Sequence, residues 1–301
     1  MTRSASRIFP ATVAAIERLT PHFARVTFTS PELADVGVGG PDQRIKVIFP
    51  LPGAQSSELP AGEDWYAQWR RLPDGRRNPM RTYTIRHADP VSRRLVVDFV
   101  AHGDSGPASR WITHAAPGQT LLVVAPDAGS GVPSGGYEWN PGRATTLLIA
   151  GDETAAPAIC AIIESLDDHA QGAAFIEVPQ AEDVLPITAP PGIELTWLFR
   201  DTRHSAGHGE LVTEAVQEWA DAWMVAQTAK RGRDIDDALL NPGTDVLWEV
   251  PPRPGDDGLY AWLAGEAGAI TGLRRHLVHD LGIARSRIAF MGYWKLGRAE
   301  N

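Results

Sequence analysis

One cysteine, no long apolar run and a shortage of basic residues exclude several kinds of protein at the outset. Cys160 is the only thiol, so an internal disulfide, a Cys-rich zinc site and an iron–sulfur cluster are all ruled out. No apolar stretch approaches the ~18 residues of a membrane span. The opening MTRSASRIFPATVAAI lacks the apolar segment of a signal peptide, and a soluble, cytoplasmic protein is expected. Lys and Arg number 28 against 37 Asp and Glu, a net charge of −9. That sign makes nucleic acid or an anionic membrane a poor main partner, while a local basic pocket stays open. What remains is ordinary globular material: 301 residues, 43% hydrophobic and 22% charged. The chain is about twice the usual domain length and can bury roughly 75% of its unfolded surface.

The two halves differ in grammar. From Ile8 to about Arg143, runs rich in Val, Ile, Phe and Thr at 24–30, 45–49, 82–86, 94–101 and 120–125 read as strands between Gly and Pro turns. Several short strands without helices between them imply an antiparallel barrel or sandwich. Residues 50–79, full of Gly, Pro and charge, read as a long loop. After Pro141-Gly142 the pattern alternates. Strands are expected at 145–150, 173–178, 193–199, 259–264 and 287–291, and helices at 154–166 and 269–281. A further helix is expected from the spacing of Leu211, Ala215, Trp219, Trp223 and Ala226. Such alternation means an α/β unit with a parallel sheet, and a polar excursion fills 230–257. Domains are expected at 1–142 and 143–301.

Three segments carry chemistry. In Arg81-Thr82-Tyr83-Thr84-Ile85-Arg86, strand alternation sends Arg81 and Tyr83 to one face and Thr82 and Thr84 to the other. A cation, an aromatic plane and hydroxyls within four residues suit a phosphate, a flat ring and a polar ring atom, although an exposed strand face accounts for the same residues. In the run from Asp98 to Trp111 (DFVAHGDSGPASRW), a strand ends near His102 and a helix starts near Pro107. Small residues there leave backbone N–H groups open to an anion; simple helix capping is the alternative. Ala150-Gly151-Asp152-Glu153-Thr154 follows the first parallel strand, where open α/β sheets bind ligands. It is not G-x-G-x-x-G, and its acids would repel a pyrophosphate at close range; alternatively they complement a helix dipole. A similar loop, Ala264-Gly265-Glu266, follows a later strand.

Taken in order, RTYTIR, VDFVAHGDSGPASRW, AGDETAAPA, YAWLAGEAGAITGLRRHL and MGYWKLG resemble the siderophore-interacting protein family of the ferredoxin-reductase superfamily, over nearly the whole chain. The resemblance implies a Greek-key FAD-binding β-barrel followed by an NAD(P)H-binding α/β domain, and reduction of ferric siderophores. By position, Tyr83 would lie against the isoalloxazine, Arg81 would meet the flavin's phosphate, Thr84 would hydrogen-bond near the ring's reactive nitrogen, and Thr82 would count among the cofactor-binding residues. Asp98, Val100 and His102 would border the flavin, and Gly106, Pro107, Ala108 and Ser109 would hold its pyrophosphate. Asp152, Glu153 and Thr154 would face the gap between domains, and Gly265 and Glu266 would flank the nicotinamide. Lys46 and Lys295 would line the siderophore side; a solvated strand lysine and a chain end packed by Tyr293 and Trp294 are the plain alternatives. Flavin carries the chemistry, so no catalytic side chain and no protein metal ligand is implied: Fe(II) binds oxygen-rich chelators far less tightly than Fe(III), and reduction is itself release.

Alternatives are a flavin or ferredoxin-type reductase with another acceptor, and a non-enzymatic siderophore carrier, against which the intact RTYT and GPAS segments speak. NADH, NADPH and reduced ferredoxin all remain candidate donors, and a monomer is the default. Trp197, Trp219, Trp223 and Trp262 read as core, Cys160 as a buried small hydrophobe. His204 and His208 are four apart, but Gly207 and Gly209 argue against a helical metal pair.

Overall fold

The computed structural model describes residues 4–62, 64–101, 106–133, 135–203, 206–228, 247–251 and 258–298. The chain divides into two compact units between Tyr137 and Glu138.

The first unit contains β1 (Ser6–Arg18), β2 (Phe23–Thr29), β3 (Arg44–Ile48), α1 (Trp65–Arg71), β4 (Met80–Thr84), β5 (His87–Asp89), β6 (Arg94–Val100), α2 (Pro107–His114) and β7 (Thr120–Pro126). Its seven strands form one antiparallel sheet in the order β4-β3-β7-β1-β2-β6-β5. The edge strands β4 and β5 are consecutive in the chain with only Ile85 and Arg86 between them. The sheet therefore has to curl until its edges approach, and it rolls into a barrel. Alternate residues fill the interior: Phe9, Ala11 and Val13 of β1, Val26 and Phe28 of β2, Leu95, Val97 and Phe99 of β6, and Leu121 and Val123 of β7 are all buried in one cluster. Ala108 and Ile112 of α2 join it, with Trp111 packed alongside.

Residues 50–79 are not simply a loop. They contain α1, whose Trp69 is buried against Ile48 and Met80 on the outer side of the sheet. Trp69 Nε1 donates to the Asn78 carbonyl at 2.9 Å, and Asn78 Nδ2 donates to that of Phe49 at 2.8 Å. A seven-residue helix with one buried side chain has no periodicity for a sequence pattern to reveal.

The second unit alternates strand and helix: β8 (Thr146–Gly151), α3 (Ala156–Ser165), β9 (Gly172–Val178), β10 (Ile193–Phe199), α4 (Glu210–Thr228), β11 (Trp248–Glu249), β12 (Leu259–Glu266), α5 (Ala267–Arg274) and β13 (Ile288–Trp294). A single π-helical turn, Arg275–Asp280, continues α5. The strand order is β10-β9-β8-β12-β13-β11; the first five strands are parallel and β11 is an antiparallel edge. The chain leaves β8 toward β9 and β10, then returns on the other side of β8 as β12. The switch point thus lies between the carboxyl ends of β8 and β12, where such sheets open a crevice. Cys160 and Trp262 are fully buried.

On α4 the buried stripe is Val212, Val216 and Ala220, not the row through Leu211 and Ala226. Ala215, Trp219 and Trp223 pack at the stripe's edge, and Ala226 is exposed. Small side chains take the closest approach to the sheet and the tryptophans, parallel at 6.4 Å, flank it. Trp197, on the edge strand β10, is half-buried and not core. Among the described residues no helix is long and apolar enough to cross a membrane.

Candidate functional site

In the first unit the RTYT segment is β4, an edge strand. Its side chains alternate: Tyr83 packs toward the barrel interior, whereas Thr82 meets Lys46 across the strand pair on the other face, Lys46 Nζ donating to Thr82 Oγ1 at 2.6 Å. Arg81 shares the face of Tyr83, and one of its N–H groups donates to the Met80 carbonyl. Thr84 is buried.

The Tyr83 ring leans on Phe99 with centroids 4.4 Å apart and on Phe49 at 6.2 Å. Trp111 of α2 rests on the same two rings, at 5.5 and 5.6 Å. This shared aromatic base brings the RTYT face and α2 to one side of the barrel. Helix α2 begins with Gly106 as N-cap and Pro107 in its first turn, with no side-chain hydrogen bond at the cap. A Cβ added at Gly106 would meet nothing within 4 Å. Ala108 and Ser109 in this first turn are buried.

A cation, a supported half-buried ring and a helix N-terminus capped by glycine are the groups that a flavin bearing a diphosphate requires, and these residues fit it. Asp98 and Val100 lie on the opposite face of β6 from Phe99. Asp98 is buried and receives Arg25 in a two-pronged pair at 2.7 and 2.8 Å, with Arg86 at 3.6 Å. Its visible work is to hold these two arginines. His102 lies outside the described residues, as does His204.

In the second unit the expected loops fall on the switch point, and buried carboxylates organise them. Asp152 is 1% exposed. Its Oδ1 accepts from the Thr154 backbone N–H at 2.9 Å and hydroxyl at 2.5 Å. Its Oδ2 accepts from the Glu266 backbone N–H at 2.8 Å and from Trp294 Nε1 at 2.7 Å. One side chain therefore ties together the ends of β8, β12 and β13. Gly265 is required there: its φ is +152°, and a Cβ would come within 2.8 Å of the Asp152 carboxylate. Glu266 in turn caps α5, accepting from the Gly268 and Ala269 N–H groups.

Glu153 and Glu177 are fully buried and share Arg200. Arg200 gives Glu153 two hydrogen bonds, at 2.6 and 2.7 Å, and Glu177 one at 3.0 Å. Glu177 also accepts from the Gly209 and Val212 N–H groups at the start of α4. His208 lies 3.7 Å from Glu153 and edge-on to Trp294 at 5.1 Å. Burial opposes the charge of Arg200, yet the Glu153 and Glu177 contacts outweigh it and raise its pKa. The sequence reading gives Arg200 and Glu177 no role and gives Trp294 only the packing of the chain end. An acid inside the apolar strand GAAFIEV was the available signal, since a buried carboxylate demands a partner. Among the described residues no group of three or more His, Cys, Asp or Glu side chains is arranged to hold a metal ion.

Burial, then the neighbouring Glu153 charge, push the Asp152 carboxyl from 3.8 up to about 6, against the hydrogen bonds from Thr154 and Trp294. A raised native pKa means stability that is present below the unfolded value and lost as pH rises through the native one. The span from 3.8 to about 6 corresponds to about 3 kcal/mol. Asp152→Asn removes this titration. The unfolding free energy of the wild type, measured relative to the variant by denaturant titration, should therefore rise by about 2 kcal/mol between pH 7 and pH 4. A flat difference would mean that Asp152 keeps its charge throughout.

A rolled antiparallel barrel with a flavin-suited face, followed by a parallel sheet with its crevice at a switch point, defines a ferredoxin-reductase-like flavoprotein. A ferredoxin reductase of carbazole 1,9a-dioxygenase shares that fold alone, at 16% identity and a TM-score of 0.57 over 96% of this chain and 70% of that one. The siderophore-interacting FAD-binding domain family matches residues 12–130, and the siderophore-interacting protein family matches residues 144–297. The chain belongs to the siderophore-interacting protein family. An uncharacterised protein of Mycobacterium tuberculosis is 32% identical over 96% of this chain and 90% of its own. Ferric vibriobactin reductase ViuB of Vibrio cholerae is 27% identical over 100% of this chain and 94% of its own. The crystal structure of the siderophore-interacting protein SipS from Aeromonas hydrophila superposes with a TM-score of 0.67 at 29% identity, covering 98% and 94% of the two chains.

Proposed function

We propose that this protein is a cytoplasmic, monomeric, FAD-dependent ferric-siderophore reductase, taking electrons from NADH or NADPH and delivering them to Fe(III) held in a siderophore. The observation that carries the reading is the convergence of Tyr83 and α2 on Phe49 and Phe99. The likeness to ferric vibriobactin reductase supports the acceptor. Bound FAD supplies the step from a two-electron hydride donor to a one-electron acceptor.

In this reading residues 1–142 bind FAD and residues 143–301 bind the nicotinamide nucleotide. Tyr83 supports the flavin ring, Arg81 neutralises phosphate charge and Thr84 lies beside the ring's polar edge, while Thr82 is engaged by Lys46 on the opposite face. The first turn of α2, Gly106 to Ser109, receives the diphosphate, and Asp98, Val100 and His102 border the flavin. Asp152, Glu153, Thr154, Gly265 and Glu266 shape the crevice for the nicotinamide nucleotide. With their acids turned inward onto N–H groups and Arg200, they present less charge to an incoming diphosphate than the bare sequence suggests. Fe(III) is substrate, held by its own chelator and released as weakly held Fe(II).

The test is the visible absorption spectrum before and after anaerobic NADH or NADPH, followed by a ferric siderophore and an Fe(II) indicator. A yellow protein bleached by one nucleotide, with colour and Fe(II) both returning on addition of the chelate, is expected. A colourless protein that refuses FAD would remove the reading. A flavin spectrum that neither nucleotide bleaches would transfer the donor role to a protein such as reduced ferredoxin.

Lys46 is exposed beside Thr82, on the sheet face opposite Tyr83, and its part in capturing an anionic chelate is separable from flavin binding. Lys46→Glu should raise KM for a ferric catecholate about fivefold at low salt, the increase shrinking at high salt. The rate of flavin reduction by nucleotide should stay constant. An unchanged KM would make Lys46 an ordinary strand lysine.

A further inference from the structure

The helices α3, α4 and α5 begin at the carboxyl edge of the parallel strands, and a carboxylate of this chain already engages each start. At α3, Asp152 Oδ1 accepts from the Thr154 N–H at 2.9 Å, the Asp152 carbonyl accepts from those of Ala155 and Ala156, and Pro157 has none. At α4, Glu177 accepts from the Gly209 N–H at 2.8 Å and the Val212 N–H at 3.0 Å. At α5, Glu266 Oε2 accepts from Gly268 and, at 3.0 Å, from Ala269. Glu266 Oε1 accepts from the Leu296 N–H at 3.1 Å, beside the exposed Lys295.

A free helix N-terminus is what ordinarily grips the diphosphate of a dinucleotide. Here each partial positive charge is met by a full negative one. Asp152 and Glu177 are buried, and Arg200 also holds Glu177, so neither swings aside for a ligand. Sterics act in the same direction. Gly209, just before α4, has φ +80°, and a Cβ there would come within 2.5 Å of the Ala269 side chain in the first turn of α5. The two helix starts pack against each other and leave no gap for a diphosphate between them. Gly151, Gly209, Ala264, Gly265 and Ala269 line the crevice, with Ile270. Such small apolar walls admit the face of a flat, uncharged ring more readily than an anion. The field of the unit does not attract an anion either: residues 138–301 carry 13 Lys and Arg against 25 Asp and Glu.

We propose that the crevice selects its electron donor by the nicotinamide riboside end and leaves the diphosphate outside, unheld by the helix starts. The selection rests on the reading of residues 143–301 as the nucleotide unit; the closure of the helix starts is independent of it. Glu266 determines the specificity, because it is the half-buried acid of the three and its loss uncovers the Gly268 and Ala269 N–H groups.

Two measurements on the full-length, flavin-loaded protein test this. In stopped-flow reduction of the flavin, reduced nicotinamide riboside, which has neither diphosphate nor adenosine, should match NADH within about fivefold in apparent dissociation constant. A diphosphate held by two helix N–H groups would instead cost the riboside about a hundredfold. Calorimetric titration with inorganic pyrophosphate needs no turnover. Glu266→Ala frees two N–H groups and should tighten pyrophosphate binding at least tenfold over wild type. Glu266→Gln removes the charge but keeps an acceptor on the helix start, and should tighten it about threefold or less. Binding of pyrophosphate at α2 is common to all three proteins and cancels in the comparison.

A riboside weaker than NADH by more than about fivefold overturns the selection, and that comparison uses the wild type alone, whatever the variants' stability. Equal tightening in the two variants, or none in either, overturns the closure, because the helix start is then not what Glu266 withholds. If neither donor bleaches the flavin, the nicotinamide-donor reading fails and the selection falls with it, while pyrophosphate still decides whether the helix starts are closed.

Discussion

Arg200→Ala is expected to destabilise the second unit by about 3–5 kcal/mol, because it leaves Glu153 and Glu177 buried without their shared cation. The arginine is the hub: Glu153 anchors the loop after β8, and Glu177 holds the first turn of α4 through the Gly209 and Val212 N–H groups. Removing it asks two carboxylates to stay ionised in a dry site, or to protonate and lose strong hydrogen bonds. In a unit of this size the loss corresponds to a melting shift of about 10 °C. Denaturant titration followed by tryptophan fluorescence would measure it. Adding Glu153→Gln to Arg200→Ala should recover part of the loss, since one of the orphaned charges is gone. A cost under about 1 kcal/mol would mean that water reaches the carboxylates and the network is an ordinary surface pair.

The second large effect concerns the flavin. Tyr83→Ala should raise the FAD dissociation constant about 10- to 100-fold, the range expected for losing a buried aromatic contact of about 1.5–3 kcal/mol. The barrel should lose less than binding does, because Tyr83 is only half-buried and the cluster keeps Phe28, Phe49, Phe99 and Trp111. Tyr83→Phe should restore retention, since the ring does the stacking. Flavin content after purification, FAD titration and thermal unfolding of the same variants would check this. An unchanged dissociation constant in Tyr83→Ala would place the flavin elsewhere.

How far the fold could be read from the chain varied with the physical signal. The apolar run at 145–150, the strand at 193–199 and the period of residues 211–226 were visible because a parallel sheet and its covering helices impose strong local patterns. The short strands β5 and β11 and the helix α1 were not, since they are held by pairing and packing at a distance. On α4 the period was right but the buried stripe was rotated: which row faces the sheet depends on how closely it can approach, and Val212, Val216 and Ala220 approach more closely than tryptophan can.

The same division runs through the candidate site. Sequence alone determined the alternation that separates Arg81 and Tyr83 from Thr82 and Thr84, the small residues opening α2, and the presence of Gly-acid loops after two strands, because each depends on neighbours a few residues apart. Only the tertiary structure decided that Asp152 and Glu153 turn inward. Their partners Trp294, Arg200 and Glu266 are distant in the chain and are brought to them by strand order. Whether a carboxylate faces a ligand or anchors a loop is set by where donors converge in space, and burial makes each donor's position decisive.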